Sequence, residues 1–185
     1  MINPNEFVQL KAFARQDGTF LGLIWIVSFA CYVGEFHYSP LGMLAMILAV
    51  ISPFFVIMRL KKFRDNVRNG VISFRRALWY CIFSFLYASL LFAIIQYLYF
   101  AFIDKGFLVQ QYEAMMSTSE AKQVMNIYKI ANEMEDGISA FARLTPIEKA
   151  LNFLTMNLTV GAILSFPIAA IMKSKNTEVN NNNQE

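Results

Sequence analysis

Residues 77–103 read ALWYCIFSFLYASLLFAIIQYLYFAFI, 27 positions without one Asp, Glu, Lys, Arg or His. A helix advances about 1.5 Å per residue and a bilayer core is about 30 Å thick, so this stretch spans a membrane with length to spare. Working outward, three more charge-free stretches appear at 19–34, 41–58 and 150–172, with 16, 18 and 23 residues. All 29 charged residues of the 185 lie in the other 101 positions, at about 29%. That is the charge density of an ordinary soluble surface, so the 16% average conceals two materials. The fold class expected is an all-α membrane protein, a bundle of four transmembrane helices with a helical extracytoplasmic insertion between helices three and four. The composition excludes a soluble globular enzyme, a disordered chain and a disulfide scaffold.

Span one is short and is expected to draw on neighbouring residues, with Asp17 and Glu35 reaching the headgroups. It lacks a convincing small-x-small cleavage site and reads as a retained helix. Before it, Pro4 to Gln16 suits either a helix lying at the inner interface or a plain extension of span one.

Orientation follows from the cationic residues. The loop 59–76 carries Arg59, Lys61, Lys62, Arg64, Arg68, Arg75 and Arg76 against one acid, Asp65. The segment 104–149 has five basic and seven acidic residues. The basic loop is therefore expected in the cytoplasm, together with both termini, and 104–149 on the outer side. The seven cations also form a candidate patch for anionic lipid headgroups. Nucleic-acid binding is not expected, because the same residues serve as the topology signal. The polar residues 174–185 are expected as a disordered cytoplasmic tail.

Helix starts are written plainly. Thr145-Pro146-Ile147-Glu148 is a capping box with proline at the first helical position, and Ser39-Pro40 and Ser73 open spans two and three. In the outer segment, Ser117 caps a helix on which Val124, Ile127, Tyr128, Ala131 and Met134 form one apolar stripe, with Gly137 as its stop. That stripe is expected to be covered by the spans, the lipid interface or a partner protein. Pro53 and Pro167 are expected inside spans two and four.

Helices in lipid associate through small residues and interhelical hydrogen bonds. Gly161, Ser165 and Ala169 lie at fourfold spacing on span four, a stripe that suits an internal contact or a dimer seam equally well. Gln96 and Asn157 each lie seven residues inside the outer end of their spans, about 10 Å deep. Equal depth makes them a candidate hydrogen-bonded pair joining spans three and four.

No span contains an ionisable residue of the kind that ion-coupled carriers use. There is no phosphate loop, nucleophile–base arrangement or metal-ligand pair, and His37 beside Glu35 is a weak metal signal. No catalytic residue, cofactor or metal is expected. Cys31 and Cys81 fall at opposite depths and read as unpaired packing residues.

Asn69-Gly70-Val71-Ile72-Ser73-Phe74, Phe102-Ile103-Asp104-Lys105-Gly106-Phe107 and Ser39-Pro40-Leu41-Gly42 resemble a bacterial integral-membrane family, the domain of unknown function 4199. The resemblance runs from about Phe13 to Lys173. It rests on a Gly-x-Ile-Ser-Phe start and a Phe-Ile-Asp-x-Gly-Phe exit of the third helix. Lys105 stands where the family pattern has proline. The resemblance implies four helices in the inner membrane of gram-negative bacteria and no activity, so no functional residues carry over.

Two functions remain in view. One is a non-enzymatic structural or accessory subunit whose outer helix meets a membrane or periplasmic protein, or a second copy of the chain. The other is a small carrier or pore for a neutral or apolar solute, with Gln96 and Asn157 lining its path.

Overall fold

Thr145 opens the last long helix as its sequence demands: its Oγ1 accepts from the Glu148 backbone N–H while the Glu148 carboxylate accepts from the Thr145 N–H. Ser39 and Ser73 occupy the corresponding positions of the second and third long helices without a side-chain cap bond. The computed structural model describes residues 4–174. The long helices are α1 (Pro4–Gly34), α2 (Pro40–Val67), α3 (Phe74–Leu98, extended by a π-helical turn Tyr99–Ile103) and α7 (Pro146–Met172); α4 (Phe107–Met116), α5 (Ser119–Tyr128) and α6 (Ala131–Arg143) lie between the last two. Among the described residues there is no strand. Helices α1, α2, α3 and α7 are long and apolar enough to cross a membrane.

Helix α3 is the central element. It packs along α1 on one side and α7 on the other, α1 also packs along α2, and α2 meets α7 only lightly. Close approach comes from glycines. A Cβ on Gly18 would lie 2.5 Å from the Ser84 carbonyl oxygen, and one on Gly161 would lie 2.7 Å from the Phe85 Cβ. Gly161, Ser165 and Ala169 are all buried, so the α7 stripe serves an internal contact with α3. Its counterpart on α1 is Ala14-x3-Gly18-x3-Gly22, a spacing that sequence reading passed over although it is as regular as the one on α7.

Of the two expectations for Pro4 to Gln16, the plain extension of span one is the one the fold has: α1 runs unbroken from Pro4. Two expectations are corrected. Asp17 does not reach outward; it is buried, ion-paired with Arg59 and accepting from the Tyr80 hydroxyl. The segment 104–149 is not built around one long helix. Lys129 adopts a left-handed conformation (φ 54°), and Ile130 N–H bonds back to the Met125 carbonyl, which ends α5. Val124, Ile127 and Tyr128 therefore lie on α5, Ala131 and Met134 on α6, and the stripe is divided. Thr118 rather than Ser117 caps α5, and Gly137 lies inside α6 instead of stopping it. Periodicity counts through Lys129 without registering the reversal, because no glycine marks it.

The tail expected over 174–185 lies outside the described residues except for Ser174. Its hydroxyl donates to the Gly70 carbonyl and its backbone N–H to that of Ile72, fastening the end of α7 to the α2–α3 turn.

The glycine contacts set a measurable order. Gly18→Val, pressed against backbone, is expected to lower unfolding free energy in detergent by about 3 kcal/mol. Gly161→Ala, meeting a side chain, should cost about 1–2 kcal/mol. Gly137→Ala, with nothing within 4 Å, should gain up to about 1 kcal/mol.

Candidate functional site: a cavity open between two helices

From the level of Gly18 and Gly161 toward α4–α6, the helices part around a cavity of about 720 Å³. Its wall comes from the C-terminal half of α1 (Trp25, Ser28, Phe29, Tyr32), the N-terminal half of α2 (Ala45, Ala49, Ser52), the C-terminal half of α3 (Phe85, Phe92, Gln96) and the N-terminal half of α7 (Phe153, Asn157, Val160). Leu108 and Tyr112 of α4 and Phe141 of α6 contribute from the end where the short helices lie. The opposite end is filled by a core cluster including Leu21, Val56, Leu60, Phe63, Tyr80 and Ile168. Because α2 and α7 scarcely touch, the cavity opens between them, past the exposed side chains of Met46, Met156 and Val160. Its size falls within the range of small-molecule pockets.

The α1–α2 wall is tied by hydrogen bonds. The Trp25 indole Nε1 donates to Ser52 Oγ at 2.8 Å, Ser52 Oγ donates to the Leu48 carbonyl, and Ser28 Oγ donates to the Ala45 carbonyl at 2.8 Å. The Tyr32 and Tyr112 hydroxyls bond to each other and join α1 to α4. Phe29 meets Phe92 and Tyr99 edge to face at 5.7 and 5.1 Å, which stiffens the α1–α3 wall. Asp104 accepts from the Gly106 and Leu108 backbone N–H groups, turning the chain from α3 into α4 so that Leu108 faces the cavity.

Gln96 and Asn157 reach the same cavity, as their equal depth predicted. The expected bond between them is not made. Gln96 is 1% exposed and its Oε1 has no partner among the described residues; the buried Nδ2 of Asn157 likewise has none. An amide group left unpaired away from water costs about 1–3 kcal/mol.

Of the seven cations of 59–76, four are held in ion pairs. Arg59 pairs with Asp17, Arg68 and Arg76 both pair with Glu6, and Arg64 pairs with Asp65 while reaching the Met172 carbonyl. Glu6 and Asp17, far away in sequence, lie on the α1 face opposite these arginines. Lys61, Lys62 and Arg75 are exposed and have no ion pair among the described residues.

His37 stacks on Phe107, and no group of three metal-ligating side chains is gathered among the described residues. Cys31 and Cys81 are both free thiols. Sequence reading also missed Lys149, which is buried with its ammonium 4.9 Å from the Phe141 ring centre and 5.5 Å from that of Phe100.

The family described as "Protein of unknown function (DUF4199)" matches residues 16–174. The chain belongs to this family. The matched region takes in every residue lining the cavity and, of the described residues, omits only the first turns of α1. No curated protein and no solved structure matches the chain.

Since the amides are not bonded to each other, Gln96→Leu and Asn157→Leu should each be neutral or stabilising by about 1 kcal/mol. Their effects should add within about 0.5 kcal/mol in a denaturation double-mutant cycle. Arg59→Met should cost about 2 kcal/mol by leaving the Asp17 carboxylate unpaired, and adding Asp17→Asn should recover most of the loss.

Proposed function

We propose that this is a non-enzymatic inner-membrane protein of a gram-negative bacterium, with both termini cytoplasmic, that binds a neutral or apolar solute in the cavity between α2 and α7. The observation that carries this reading is the cavity itself. Its wall is almost wholly apolar, its polar members are amides, hydroxyls, an indole and, near the α4–α6 end, the Glu35 carboxylate, and it opens sideways between helices that are apolar enough to cross a membrane. Groups of that kind bind and orient uncharged molecules. The basic residues at the end where the termini lie support the orientation, which puts the opening in the outer leaflet.

A second reading, an accessory subunit that meets another protein, rests on α5. Val124, Ile127 and Tyr128 are exposed there, the last two at 74% and 70%, an apolar tip that a partner would cover.

Trp25 lines the cavity and Trp79 does not, so a Trp79→Phe variant carries one reporter. Saturable quenching of Trp25 by a brominated alkyl probe in mild detergent, lost when Ala49→Phe fills the opening, is the expected result. Quenching that is unsaturable and unaffected by Ala49→Phe would sink the binding reading. Reporter fusions after Lys62 and Glu133 test the orientation, with Lys62 expected inside and Glu133 outside. Co-purification with a membrane or periplasmic protein, abolished by Ile127→Ser with Tyr128→Ser, is what the accessory reading requires.

A further inference from the structure

We infer that the cavity selects one class of membrane-derived ligand, an uncharged amphiphile with one hydrocarbon chain and a hydroxylated head that meets Gln96 and Asn157. The inference rests on the binding reading above and adds the chemistry of the ligand. Most polar groups of the wall are already occupied. Trp25 and Ser52 bond to each other, Ser28 bonds to a carbonyl, and Tyr32 and Tyr112 share a bond. What remains is the two side-chain amides of Gln96 and Asn157, each with an acceptor oxygen and N–H donors and neither hydrogen-bonded among the described residues, with Gln96 Oε1 and Asn157 Nδ2 buried. They stand on facing helices, α3 and α7, and line one cavity. Gln96 is nearly inaccessible to solvent and is set among Phe and Trp side chains. Water excluded from such a site leaves both amides unsatisfied unless a ligand supplies the complementary pair.

A hydroxylated head supplies it. An O–H donates to an amide oxygen and a hydroxyl oxygen accepts from an amide N–H, so one hydroxylated head can serve both side chains. Charged heads fit badly. No cation lines the cavity to neutralise a phosphate or carboxylate, and Glu35, near the α4–α6 end, is the one ionisable carboxylate of the wall. Lys149 is engaged by Phe100 and Phe141 and is not part of the lining. An ammonium head would find only the amide oxygens of Gln96 and Asn157 at that depth, neither of them charged, and would lose its hydration. The volume suits one drug-sized molecule, which favours one chain over two. The opening between α2 and α7 admits that chain from the bilayer rather than from water. Monoacylglycerols and long-chain alcohols have this chemistry. A site built to hydrogen-bond a hydroxyl discriminates against an analogue lacking it, because its own polar groups are then left unpaired.

The test uses the full chain carrying Trp79→Phe in mild detergent, with three probes brominated on chains of equal length: a monoacylglycerol, a fatty-acid methyl ester that only accepts hydrogen bonds, and a fatty-acid anion. The monoacylglycerol is expected to half-quench Trp25 at about tenfold lower mole fraction than the methyl ester, the ratio one intramembrane hydrogen bond supplies. Gln96→Leu with Asn157→Leu should abolish that preference, so that the monoacylglycerol and the ester quench alike. Equal quenching by all three probes, preference for the anion, or a preference that survives the double substitution would overturn the ligand assignment and leave the cavity reading standing. Absence of saturable quenching by every probe would overturn both. The comparison of probes on the unsubstituted amides decides the matter even where the double variant does not fold.

Discussion

Two adjacent residues of α3 hold the molecule together. Gly18 of α1 lies against the Ser84 carbonyl and Gly161 of α7 against the Phe85 side chain, so two helices are pressed onto one level of a third from opposite sides. Where glycine removes the side chain, backbones approach closely and dispersion contacts are densest. Toward the termini the helices stay together around an apolar core; toward α4–α6 they separate, and α2 follows α1 without closing on α7. The cavity is thus a consequence of where the close contacts stop.

The polar groups divide along the same line. Near the termini they are paired: Asp17 with Arg59 and Tyr80, and Glu6 with two arginines. Ser84 and Ser165 return their hydroxyls to carbonyls one turn back, which satisfies them within their own helices. In the cavity, Gln96 and Asn157 break the pattern: the Gln96 Oε1 acceptor and the Asn157 Nδ2 donor are buried without a partner among the described residues. Unpaired buried amides persist where some other requirement outweighs stability, and such places are commonly functional.

Much of the fold was legible. Four charge-free runs, the Thr145 capping box and the stripe of Gly161, Ser165 and Ala169 are local patterns, and each maps directly onto α1, α2, α3 or α7. The division of 104–149 was not legible, because Lys129 takes a left-handed turn that any periodicity count passes through. Part of the site was readable: depth alone brought Gln96 and Asn157 to one level. Their failure to bond was not, since two helices at equal depth can be side by side or on opposite sides of a gap. Trp25, Ser28, Ser52 and Tyr32 carried no signal of their own, being ordinary members of apolar runs.

The distribution of charge by itself determined the number of long helices and the contrast between their two ends, because transfer from water to an apolar medium is a property of each residue and needs no partner. Tertiary structure alone decided which small residues touch, which arginines meet Glu6 and Asp17, and that α2 and α7 stand apart. Those outcomes depend on the rotation and crossing of each helix against its neighbours, and two helices with the same sequence pattern can cross at different rotations. The cavity belongs to that second group: it is the space left when glycine contacts draw three helices together at one level and nothing draws the fourth across.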